Sequence, residues 1–214
     1  MSGNYEVEKL SQSEYVNGVH KKNVVYAVQP DVAESGAVYF LGDQYVDRVV
    51  RDGEVVYGRN FYLGSSGKWQ DITAKSYLIN GTYRNIPTTK EKSVIGTIEM
   101  DNSEYENTED INAALYARVD FDKGGYKIGK PSIYGGSSGV SECEMDIPSD
   151  ATKMSLCKIA KGNTSGGLVI DAKVRKHKLE LGTTATPYTV APEDLFPSMQ
   201  TFSSFPDWQE DITE

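Results

Sequence analysis

Apolar residues along this chain come in short runs that alternate with polar ones, and the runs are separated by glycine, serine and asparagine. Stretches 76–78, 93–100, 114–121, 126–133, 142–147, 153–159 and 168–174 read as strands by this period of two. Between them stand Asp122-Lys123-Gly124-Gly125, Tyr134-Gly135-Gly136-Ser137-Ser138-Gly139 and Lys161-Gly162-Asn163-Thr164-Ser165-Gly166-Gly167, whose residues accept turn conformations at little cost. Amphipathic helix candidates are almost absent. The best, Asp110 to Tyr116, reads equally well as the start of a strand. Pro148 ends one strand, and Met154 and Leu156 begin the alternation of the next. The pattern predicts an all-β chain whose main domain is a jelly-roll-like β-sandwich.

Residues 1–57 read as a separate small β module. Val24 to Val28 and Ala37 to Leu41 are strand-like, with Gln29-Pro30-Asp31 as the break. Asp52-Gly53 between Val49-Val50 and Val55-Val56-Tyr57 is a strong hairpin signal, because both residues tolerate positive φ. Near the end of the main domain, Leu168, Ile170, Ala172 and Val174 share one parity while Leu179 and Leu181 have the other. Alternation must therefore break within Arg175-Lys176-His177-Lys178, most simply by a β-bulge. Beyond it, residues 192–214 read as an extended arm carrying Phe202, Phe205 and Trp208.

Composition adds limits rather than chemistry. Of 214 residues, 14 are Tyr and 20 are Gly, which suits a β protein with wide loops although the hydrophobic fraction is only 38%. A net charge of −9 argues against a nucleic-acid partner, which needs a basic face, and against an anionic membrane surface. The polar, acidic N-terminus has no apolar signal region, and no run is long enough to span a bilayer. The expectation is a protein made in a cytoplasm without a signal peptide. Cys143 and Cys157 flank a strand-turn-strand and could face each other, but two free, partly buried thiols is the favoured reading.

The segment Lys178-Leu179-Glu180-Leu181-Gly182-Thr183-Thr184-Ala185-Thr186-Pro187-Tyr188-Thr189-Val190-Ala191-Pro192-Glu193-Asp194 resembles the KLE-x-G-x-x-A-T-P-W-T-P-x-P-E-D ending of carbohydrate-binding-like β-sandwich modules in bacteriophage tail and baseplate proteins. Tyr188 stands where that pattern has Trp, and Val190 where it often has Pro. Gly58-Arg59-Asn60-Phe61-Tyr62-Leu63-Gly64 is similar to the G-R-N-L-L-L opening of the same modules. The resemblance implies a carbohydrate-binding-like sandwich over 58–191. It also implies a virion location and attachment to other virion proteins through residues 1–57. The run Val38 to Tyr57 resembles short Y-L-G-D…V…D-G-x-x-V-Y units in tail proteins of phages of Gram-positive bacteria, which implies a Gram-positive host. The partner it implies is a host cell-wall saccharide, bound without chemistry, by a chain that could be a homo-oligomer such as a trimer. The rival reading is a purely structural virion protein with no glycan contact.

Saccharide binding needs aromatic faces for stacking beside Asn, Asp, Gln or Arg for the hydroxyls. The candidates are Trp69 with Gln70 and Asp71, Tyr83 with Arg84 and Asn85, Tyr105 in an acidic loop, and Tyr134 beside glycines. At each position a rim or core aromatic of a sandwich is the competing explanation. Asp101 to Asp110 concentrates carboxylates of the type Ca²⁺ prefers, but it lacks the glycine and spacing of an EF-hand loop, so a solvated loop is expected and no cofactor is. His20 and His177 are the only histidines, and neither sits by a nucleophile motif. The expectation is a binding protein, not an enzyme.

Overall fold

Eighteen short elements, nearly all strands, are found among the described residues of the computed structural model. It describes residues 6–9, 14–16, 19–21, 25–28, 38–41, 44–45, 48–51, 54–74, 78–79, 81–87, 89, 91–105, 114–161 and 170–195. The Asp52-Gly53 turn, the acidic residues 106–110, the glycine-rich 162–169 and the aromatic residues of the C-terminal arm lie outside them. The chain divides into two units, Met1–Gly64 with Thr186–Glu214, and Ser65–Ala185. Every strand pairing is antiparallel, so the all-β expectation holds.

The first unit holds β1 (Glu6–Lys9), β2 (Glu14–Val16), β3 (Val19–Lys21), β4 (Val25–Val28), β5 (Val38–Leu41), β6 (Gln44–Tyr45), β7 (Arg48–Arg51) and β8 (Glu54–Gly58). They form two four-stranded sheets, in the orders β1-β4-β5-β6 and β3-β2-β7-β8. Strands β7 and β8 make the expected hairpin, with Arg51 opposite Glu54.

Past β8 the opening signature meets the closing one. Thr186 Oγ1 accepts from Gly58 N at 3.0 Å, and buried Asn60 donates through Nδ2 to Thr189 O at 2.8 Å. The Arg59 guanidinium lies 4.9 Å from the Phe61 ring centroid and donates to Glu193 at 2.6 Å. Asp194, in the single turn α1 (Pro192–Leu195), accepts from Gly64 N at 2.8 Å. Two segments more than 120 residues apart are thus clasped by backbone and side-chain hydrogen bonds.

The second unit holds β9 (Gln70–Ala74), β10 (Leu78–Ile79), β11 (Arg84–Asn85), β12 (Ser93–Asp101), β13 (Ala114–Phe121), β14 (Tyr126–Ile128), β15 (Ser138–Asp146), β16 (Lys153–Lys161) and β17 (Ile170–Leu181). One sheet runs β15-β12-β17-β9; the other runs β10-β16-β13-β14, with β11 also on β16. Alternation decides which side chains lie between them. Val94, Ile98 and Met100 of β12, Val119 and Phe121 of β13, Leu156 of β16 and Val174, Leu179 and Leu181 of β17 are all buried. Gly96 marks how close the sheets come. A Cβ built there would stand 2.6 Å from Leu156 Cδ1 and 3.0 Å from Val119 Cγ2.

The parity break falls where expected. Register between β12 and β17 shifts between Thr97 and Glu99, so that Lys176 and His177 together oppose Ile98 alone. Lys176 takes a φ of 53° to make the bulge. Leu179 and Leu181 thereby return to the inner face. The strands expected at 126–133 and 142–147 are bounded differently, because Pro131 has no N–H to give a ladder and β15 begins at Ser138, inside a stretch read as turn. Both cysteines are free and buried. Cys143, opposite Gly96, donates to Lys127 O at 3.0 Å; Cys157, opposite Arg118 in the other sheet, donates to Asp120 at 3.0 Å. Burial pushes the Cys157 thiol up to about 11, so it is no nucleophile at neutral pH.

Asp122 ties the β13–β14 turn to the start of β16. It accepts from Thr152 Oγ1 at 2.6 Å, Thr152 N at 2.8 Å and Lys153 N at 2.9 Å. These bonds, that from Thr152 Oγ1 first, hold its carboxyl well below the ordinary carboxylate range. In the unfolded chain the group titrates near about 3.9. Its stabilising effect is therefore complete above that pH and is lost as pH falls toward the lower folded value. Asp122→Asn should flatten the loss of stability below about pH 4 seen with the parent chain. Urea midpoints measured at several pH values read the difference; parallel curves for the two proteins would refute it.

Candidate functional site

Strand pairing assembles a polar surface on the outer side of the β15-β12-β17-β9 sheet. Asp71 and Thr73 of β9 lie opposite Lys173 and Asp171 of β17. Glu99 and Asp101 of β12 lie opposite Arg175 and Lys173. Directly paired residues project to the same side, and Val174 between Lys173 and Arg175 is buried, so these seven side chains face outward.

Trp69 stands just before β9, with 39% of its surface exposed. The Arg175 guanidinium lies 4.4 Å from its ring centroid and donates to Glu99 Oε1 at 2.7 Å. Lys176 Nζ reaches Glu99 Oε2 at 3.4 Å. The ring therefore rests on an ion-paired base while remaining partly exposed to solvent.

On the same outer face lies a cleft of about 190 Å³ lined by Asp71, Thr73, Asp101, Glu104, Asp171 and Lys173, and bordered by Ile72 and Ala172, whose side chains have inward parity. Lys173 donates to Glu104 at 2.5 Å, and Thr73 donates to Asp171 at 2.6 Å. Hydrogen bonds from Ser103 lower the Asp101 carboxyl, with the Lys173 charge adding to them. The same Lys173 is held protonated above its ordinary range, chiefly by Glu104. Four carboxylates against one ammonium make the cleft negative and rich in acceptors. It suits hydroxyl donors and repels phosphate.

Not all the sequence candidates meet here. Trp69 and Asp71 do; Gln70, also exposed, alternates to the other side of β9. Tyr105 is half-buried and follows Glu104 in a turn whose N–H bonds Asn102 O at 3.2 Å. Tyr134, 42% exposed, sits in the turn that docks on Asn102 through Ile133 O, Gly136 N and Ser137 O. Tyr83, Arg84 and Asn85 belong to the other sheet, where β11 pairs with Met154 and Lys153 of β16.

The residues that sequence reasoning missed are Thr73, Glu99, Asp171, Lys173 and Arg175. Alternation with Ile170, Ala172 and Val174 marks the two basic ones as outward, but no local signal pairs them with β9 or β12. Among the described residues no group of three His, Cys, Asp or Glu is placed to hold a metal ion. Compared with known proteins, the chain matches no family model, no curated protein and no solved structure at a significant level.

Proposed function

We propose that this chain is a non-enzymatic phage virion protein whose second unit grips a cell-surface saccharide of a Gram-positive host. In this reading residues 65–185 are a jelly-roll-like β-sandwich, a description supported by two antiparallel sheets facing each other across Gly96, Val119 and Leu156. The clasp between the two signature segments supports reading them as parts of one structural feature, as the phage-module resemblance implies.

One observation carries the functional reading: the exposed ring of Trp69, seated on the Arg175–Glu99 pair on the sheet face that also carries an acceptor-lined cleft. An aromatic plane beside hydroxyl acceptors is what a pyranose ring needs, since its C–H face stacks while its hydroxyls donate. Contact of this kind is shallow, and many copies on one particle would supply avidity. Virion proteins would be engaged by residues 1–57, and a trimeric assembly is part of the same proposal.

The test is binding of the full chain to Gram-positive cells and to their purified wall polysaccharides. Trp69→Ala should lower affinity about tenfold, the equivalent of a stacking contact of ~1–1.5 kcal/mol, and Trp69→Phe should recover part of it. Absence of saturable binding by the folded, multimerised chain would favour a structural virion role.

A further inference from the structure

A second aromatic surface lies on the opposite side of the same unit. Strand β13 carries Arg118 and Asp120 with parity opposite to buried Val119, so both face away from the facing sheet. Across β14, Asp120 lies opposite Tyr126 and Arg118 opposite Ile128. The Arg118 guanidinium stacks 3.6 Å from the Tyr126 ring centroid and donates to Asp120 through Nε at 2.7 Å and through Nη2. Tyr126 is 52% exposed and Ile128 39%.

Tyr83 arrives from the other edge. Gly81 N donates to Cys157 Sγ at 3.4 Å, which lays the segment leading to Tyr83 across β16. The Tyr83 ring is 46% exposed, and its hydroxyl is within electrostatic reach of Asp120, Cys157 and Arg118. Two open tyrosines therefore flank an Arg–Asp pair. Asp120 uses one oxygen for Arg118 and the other for Cys157, so the carboxylate is fully engaged. The remaining Arg118 N–H groups have no partner among the described residues and are left to donate to a ligand.

We infer that this Tyr83–Arg118–Tyr126 surface is a second saccharide site, facing away from the Trp69 site, and that both take uncharged sugars. The inference rests on the saccharide reading of the Trp69 surface but on separate residues. Its charge logic is simple. Arg118 is neutralised by Asp120, so a ligand gains nothing by carrying phosphate here, while the Trp69 cleft repels it outright. Two stacking tyrosines and a donor edge instead match a ring with hydroxyl acceptors. Because the sites lie on opposite outer faces, one chain cannot place both on neighbouring sugars of a straight strand. It would bridge two glycan strands.

The experiment is calorimetric titration of the full chain with short neutral oligosaccharides released from purified Gram-positive wall polysaccharide. Phosphate-bearing wall polymer from the same cells is the charged control. The expected number of sites that keep the parent affinity is two per chain for the parent, one for Trp69→Ala, one for the Tyr83→Ala/Tyr126→Ala pair, and none when all three changes are combined, each altered site weakening about tenfold or more. The tyrosines are half exposed, so the pair should keep the parent denaturation midpoint, and Tyr83→Phe/Tyr126→Phe should retain two sites. Counting sites per chain makes the result independent of oligomeric state. One site in the parent, or an unchanged count in the tyrosine pair, overturns the second site while leaving saccharide binding intact. Tighter binding of the phosphate-bearing polymer overturns the neutral class, and no binding of any saccharide removes both readings together.

Discussion

Lys178→Met should lower the stability of the second unit by about 3–5 kcal/mol, the cost of removing one partner of a buried ion pair. Lys178 and Glu180 alternate on β17 with Leu179 between them, so both point to the outer side of their sheet, yet each is only 1% exposed. Lys178 Nζ lies 3.3 Å from Glu180 Oε2. Burial draws the ammonium below the ordinary lysine range even with Glu180 beside it, so desolvation outweighs the attraction. Removing the cation takes this ion pair away from a buried carboxylate. Replacing both, as Lys178→Met/Glu180→Leu, should return the stability to within about 1 kcal/mol of the parent or above it. Urea unfolding measures this, and the buried thiols of Cys143 and Cys157 give a local readout through their reaction with a thiol reagent. A single variant as stable as the parent would mean that the pair is not desolvated.

Gly96→Ala should cost about 1–3 kcal/mol, and Leu156→Ala about 2–5 kcal/mol, but the double variant should cost less than the two together. The added methyl would meet Leu156 Cδ1 at 2.6 Å, the far end of a side chain that the second substitution removes. Gly81→Ala provides the contrast. Its Cβ would lie 1.9 Å from the Leu156 carbonyl oxygen, which is backbone and survives any change at position 156. That cost should therefore add to Leu156→Ala without rescue, and it should release the Tyr83 segment from β16. Denaturation midpoints of the parent and the five variants separate the cases. Equal non-additivity for both glycines would show that the sheets shift as bodies instead of meeting at side chains.

Where the chain's own pattern was local, it was readable. Strand 114–121 has the bounds expected from alternation, β7 pairs with β8 as the hairpin signal between them required, and two sets of leucines and β-branched residues with opposite parity required the bulge that Lys176 makes. What stayed hidden depends on pairing at a distance. Strand β9 contains one aliphatic residue of size, Ile72, so no alternation announces it; its strand state comes from β17. Trp69 and Asp71 could be named as candidates, but Arg175 as the support of the Trp69 ring could not, since the partner lies about a hundred residues away. Arg118 and Tyr126 were likewise missed, being ordinary strand residues until β13 and β14 pair. Lys178 and Glu180 alternate with buried leucines, and their own burial comes from packing that no local pattern announces.

The clasp has a mechanical consequence. Its partners advance together, Gly58 with Thr186, Asn60 with Thr189 and Gly64 with Asp194, so the incoming and outgoing segments run the same way. Tension applied to the chain before residue 58 and after residue 194 would pull these parallel segments past each other. In that geometry the hydrogen bonds and the Arg59–Glu193 pair are strained at once rather than opened one by one. The load passes from flank to flank through the clasp, and the sheets of residues 65–185 stay unstretched until it yields.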